Sequence, residues 1–169
     1  MKPAAAAPPA YAEARAEFVE AMRHATPGTD LPRYVAVLDA LLAWTKAHEG
    51  DGVLRVVTRR AGVLRCERAG TTIPLWSAQA ARNGSPMVEV HVAGAGARAA
   101  ELRADAMRTL FAHSRLAPEE GERPRIGFGA LKNAAALESV LALLERMLEK
   151  TPAEAAPAQA TPADASMSA

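Results

Sequence analysis

The chain has 169 residues and half are hydrophobic, but 41 of these are alanine and only 43 are larger core-building side chains. That supports one compact domain of roughly 120 to 140 residues. Twenty basic against 19 acidic residues leave a net charge of +1, which supplies no global field towards nucleic acid or an anionic membrane.

Residues 1–9 and 151–169 are Ala/Pro/Thr-rich without apolar periodicity, and both are expected to be disordered tails around a single α+β domain over 10–150. The first helix is expected over 10–24, with Tyr11, Phe18 and Met22 on one face. A break at Thr26-Pro27-Gly28-Thr29-Asp30 follows. Thr29 or Asp30 is positioned to cap a second helix over 31–48, and Pro32 fits its first turn, where a missing N–H costs nothing. Leu31, Tyr34, Val35, Leu38, Leu41 and Leu42 form its apolar stripe, with Val37 and Trp44 expected on an exposed flank that a dimer would use.

The middle of the chain has strand character. Residues 53–59 and 63–68 flank a hairpin turn at Ala61-Gly62. A run from Thr71 to Ser77 contains Pro74, which predicts an edge strand or a bulge. Beyond the turn signal Asn83-Gly84-Ser85-Pro86, Met87 to Val92 alternates. Val88, Val90 and Val92 fall on one side, Glu89 and His91 on the other. Two more helices are expected, over 97–115 and 134–149, the second capped by Asn133. The fold class is therefore α+β: a three- to four-stranded antiparallel meander, two helices before it and two after, packed mainly on one face.

Four features carry possible chemistry. Arg55, Arg59, Arg65 and Arg68 interleave with Val53, Val57, Leu64 and Cys66, which predicts an arginine-rich, solvated sheet face. Residues 51–82 hold six arginines against Asp51 and Glu67, a local balance of +4. Glu89 and His91 share one side of a strand about 7 Å apart, close enough to ligate a metal or to exchange protons with a third partner such as His113 or Glu120. Gly94-Ala95-Gly96-Ala97-Arg98-Ala99 has the G-x-G-x-x-A spacing of a dinucleotide loop, but hairpin-linked strands and a charged preceding strand argue for a plain strand-to-helix connection. The lone Cys66 excludes an internal disulfide and a cysteine-built zinc site, and is expected as core filler.

Leu41-Leu42-Ala43-Trp44, Leu75-Trp76, Val88-Glu89-Val90 and Pro124-Arg125-Ile126-Gly127-Phe128-Gly129-Ala130-Leu131 together resemble a small domain of uncharacterised function found in many bacterial proteins. The resemblance spans about Leu38 to Leu148. It implies the same α+β fold and brings no catalytic residue with it.

The expectation drawn from these residues is a cytoplasmic, non-enzymatic binding module without cofactor or metal. Its candidate surface is Arg55, Arg59, Arg65, Arg68, Glu89 and His91, and its partner another protein rather than a membrane. Two alternatives stand beside it: nucleic-acid binding through the arginines, and a small metal-dependent hydrolase or nuclease using Glu89 and His91. No run of 18 apolar residues marks a membrane span, and the first ten residues lack the apolar stretch of a secretory signal.

Overall fold

The computed structural model describes residues 9–26, 28–49, 54–60, 62–68, 74–82, 85–92, 97–113 and 123–150. The two expected tails lie outside these residues, apart from Pro9, which opens the first helix.

Helix α1 (Pro9–Ala25) buries Tyr11, Ala14, Phe18 and Met22, the spacing of one helical face. Helix α2 (Leu31–Ala47) carries Pro32 in its first turn, as the missing N–H requires. Asp30 stands at its N-cap but its side chain caps nothing. Its carboxylate is drawn instead to Lys132 Nζ at 3.0 Å, while its carbonyl accepts from the Arg33 and Tyr34 amides. Electrostatic attraction to a cation brought in by the tertiary fold has overridden the local capping preference.

The strands follow as β1 (Leu54–Arg60), β2 (Val63–Arg68), β3 (Pro74–Arg82) and β4 (Ser85–Val90). They pair in sequence, each antiparallel to the next, which is the expected meander. Gly62, at φ +74°, makes the β1–β2 turn, and its carbonyl accepts from the Ala80 amide. β3 lies inside the sheet, so Pro74 is not on an edge strand. It opens β3 opposite Glu67, where the register slips in a bulge, and there a missing N–H is tolerated.

Helix α3 (Ala99–Phe111) buries Leu102, Ala106 and Leu110. A three-residue strand β5 (Arg125–Gly127) then joins β4, extending the sheet to five strands in the order β1-β2-β3-β4-β5. A single helical turn α4 (Phe128–Leu131) leads into α5 (Ala134–Lys150), and Asn133 Oδ1 accepts from the Ala135 amide at 2.9 Å, the expected cap.

Alternation along the strands sorts side chains into two faces. The register lines up Val56, Cys66, Trp76 and Val90 in one row and Leu64, Ala78, Val88 and Ile126 in the next. All but the half-buried Val56 are buried, and the helices pack on this side. Phe128 seals the centre of the layer, with its ring 6.2 Å from Phe18 and edge-on to Tyr34 at 6.0 Å. Trp44 and Val37, expected on an exposed flank, are buried as well. Helix α5 reaches Trp44, where Glu145 Oε1 accepts from Trp44 Nε1 at 2.9 Å.

The wholly antiparallel sheet also removes the dinucleotide reading of the Gly94-to-Ala99 motif, because that site needs parallel strands joined by crossover helices. Gly94 and Gly96 themselves lie outside the described residues.

Candidate functional site

The opposite face of the sheet carries no helix among the described residues, and polar side chains gather there. One row runs Arg65, Ser77, Glu89, Arg125 across β2 to β5, and Val63, Gln79, Met87 and Gly127 form the row beside it. His91 sits just past β4, its backbone fixed by donation of its amide to the Leu75 carbonyl at 2.9 Å. That anchor turns the imidazole back over the sheet. Ser77 Oγ lies 2.8 Å from His91 Nε2, and His91 Nδ1 lies 4.0 Å from Glu89 Oε1. Arg123 Nη1 approaches the same carboxylate at 3.4 Å, and Arg65 Nε lies 3.6 Å from the fully buried Glu67 carboxylate.

Glu89 and His91 are thus brought together as the alternation predicts, but they are not solvent-facing. Glu89 is buried and His91 largely so. Burial pushes His91 below the ordinary histidine range. Glu89 pulls it back up, and Arg65 and Arg123 reinforce the fall. Near neutral pH the ring is uncharged: with its proton on Nδ1 it accepts the Ser77 hydroxyl proton at Nε2, and in the other tautomer Nε2 donates to Ser77 Oγ.

The arginine set divides. Arg65 belongs to this face. Arg68 falls on the other face by alternation, near Cys66, and burial lowers its basicity. Arg55 stands opposite Glu67 in the register, but the side chains of Arg55 and Arg59 lie outside the described residues. Cys66 is core filler, as expected. Burial pushes its thiol up to about 12, leaving no thiolate at neutral pH.

Ser77, Arg123 and Arg125 escaped sequence reasoning. A signal for Ser77 was present: it pairs with Glu89, and the two stand six residues either side of Asn83 in the turn already marked. Nothing local marks Arg123 and Arg125, which reach the face only through the tertiary pairing of β5.

Ser77, His91 and Glu89 have the order of a nucleophile, base and orienting acid. Two features limit what they do together. The depression that Ser77 and Glu89 line with Gln79, Met87 and Arg125 has room for about one water molecule. Ser77 also lies on a strand paired on both sides, so its neighbouring amides are committed to ladders and offer no cradle for an oxyanion.

Among the described residues no three His, Cys, Asp or Glu side chains converge on a metal position. His113 pairs instead with Ser139 on α5, at 3.2 Å, and Glu120 lies outside the described residues.

No protein-family model, curated protein or solved structure matches the chain. This is consistent with a domain of uncharacterised function. No described helix is long and apolar enough to cross a membrane.

Proposed function

We propose that the chain is a non-enzymatic binding module that takes another protein on the helix-free face of its sheet. One observation carries the reading: Arg65, Ser77, Glu89 and Arg125 line up across four strands on the side where no described helix packs. A protein partner is favoured over nucleic acid for two reasons. Two arginines of this region already face carboxylates, Arg65 with Glu67 and Arg123 with Glu89, which blunts their pull on phosphates. Six of the seven aromatic rings are buried in the core and Phe111 is half-buried, so bases find no stacking platform. The bacterial setting implied by the resemblance around Leu41–Trp44 and Pro124–Leu131, and the cytoplasmic location expected above, belong to the same proposal.

The test compares the wild-type chain with Arg65→Glu/Arg125→Glu as immobilised baits, with short single-stranded oligonucleotides assayed in parallel at low and moderate salt. The expected result is a protein retained by the wild type and lost from the variant. Salt-sensitive oligonucleotide binding without a retained protein would overturn the reading in favour of nucleic acid.

The 2.8 Å approach of Ser77 to His91 favours a second reading, hydrolysis with Ser77 as nucleophile, His91 as base and Glu89 orienting it. It stands beside the metal-dependent version, for which no third ligand is gathered among the described residues. Stoichiometric labelling of Ser77 by a fluorophosphonate, abolished by His91→Gln, is its signature. An unlabelled wild-type chain eliminates it.

A further inference from the structure

Strand β1 ends the sheet. It has β2 on one side, and among the described residues no strand pairs with the other. The opposite edge differs: β5 is three residues long and offers little backbone to a newcomer. From Leu54 to Thr58 the β1 backbone keeps unbroken register against Arg68 to Leu64, and the slip comes only between Thr58 and Arg60. Five residues in register give about 17 Å of regular strand, enough for a short segment to add by main-chain hydrogen bonding. Val56 packs against the core, so the strand's orientation is fixed before anything binds.

Composition selects the occupant. Leu54–Arg60 contains Arg55, Arg59 and Arg60 and no acidic residue. A second copy of β1 laid against the first would bring six guanidinium groups into one ladder, so the charge that disfavours self-pairing favours an acidic strand. The local balance of +4 over residues 51–82 extends the same preference to the flanking chain.

We infer that β1 is the docking edge for an extended, Asp/Glu-rich segment of a partner protein, which adds as a sixth strand beside Leu54–Thr58. The inference rests on the binding-module reading and names the chemistry of its partner. The segment's alternate residues lie over the helix-free face, next to the row that begins at Arg65, and its acidic side chains meet the arginine positions of β1.

The experiment titrates the 15N-labelled full-length chain with a blocked decapeptide of alternating Glu and Thr, and separately with its Lys/Thr counterpart. Expected are shifts and slowed exchange of the 54–58 amides with the acidic peptide only. At least tenfold weaker binding is expected in Arg55→Gln/Arg59→Gln/Arg60→Gln, which removes charge without adding bulk or repulsion. Arg15→Gln, distant in sequence and paired with Asp39, is expected to bind as the wild type and reports on non-specific charge effects. Three results would overturn the inference: equal binding of the two peptides, unchanged 54–58 amides, or full affinity in the triple variant. Shifts confined to Arg65, Ser77 and Arg125 would remove the edge while leaving the binding module standing. The absence of shifts with either peptide removes the acidic-strand chemistry, and the bait comparison then decides the module separately.

Discussion

At Gly62 the chain reverses from β1 into β2 in the left-handed region that a side chain enters at a cost of about 1–2 kcal/mol. A Cβ built there would stand 3.1 Å from that of Ala21 and 3.4 Å from that of Ala80, so the turn is closed by packing as well as by conformation. Gly62→Ala is therefore expected to lose about 1–2 kcal/mol in urea titration, and more where Ala21 cannot give way. Gly28, in the loop before α2, has nothing within 4 Å and no positive φ, so Gly28→Ala should be neutral or stabilising by up to about 1 kcal/mol. His91 makes a prediction of a different kind. Its folded value is held below the ordinary one, so the unfolded chain binds the proton more readily. Stability therefore falls as pH drops through about 6.5, the ordinary histidine value. Melting temperatures taken between pH 7.5 and 5.5 should decline in the wild type, and the decline should shrink in His91→Gln. An equal decline in both would remove His91 as the cause.

Between elements, one guanidinium ties α3 to α5 beside their shared apolar core. Arg146 Nε donates to Asp105 Oδ2 at 3.0 Å and Nη2 to Oδ1 at 3.2 Å, with Thr109 Oγ1 beside them at 3.3 Å. The bond from Arg146 holds the Asp105 carboxyl below the usual carboxylate range, against the opposing pull of partial burial. A lowered folded value means that the contribution is complete above about pH 4 and is lost as pH falls through the folded value. Arg146→Met should cost about 1 kcal/mol at neutral pH, with the two proteins converging under strong acid. A gap that stays constant with pH would place the cost in packing of the arginine stem. Joints of this kind were beyond the sequence, whereas the elements they join were legible in it. Periodicity located α1, α2, α5 and the valine alternation of β4, because burial of one face imposes the period directly. It did not place β5 in the sheet, because its three residues carry no period. It also misplaced Trp44, because a tryptophan at the margin of a stripe is buried or exposed according to which helix arrives beside it. For the candidate site, alternation paired Glu89 with His91, but strand register alone supplied Ser77 and Arg125. Glu89 is buried, and the guanidinium that faces it, Arg123, comes from 34 residues further along the chain.

In the whole molecule, residues from the helices and from each of the five strands meet in one apolar layer, from Tyr11 and Phe18 of α1 through Trp76 and Val88 to Val140 and Met147 of α5. The helices have no second core of their own. α1 and α2 rest on β1, and α5 reaches the sheet through α3 and α4. Melting the sheet therefore exposes the apolar face of every helix at once, and isolated helices of 17 residues are marginal in water. The two tryptophans report on different parts of this layer, Trp76 from the centre of the sheet and Trp44 from the α2–α5 contact, whereas far-ultraviolet dichroism reports mainly on helix. Their unfolding transitions should coincide in a two-state manner. Phe128 tests the same point by mutation. Fully buried and lying against both Phe18 and Tyr34, it ties the β5–α4 corner to the first two helices. Phe128→Ala should cost about 3–5 kcal/mol and shift both probes together. If dichroism persists after the Trp76 signal is lost, the helices hold together without the sheet. The helix-free face would then be a separable layer rather than the far side of a single core.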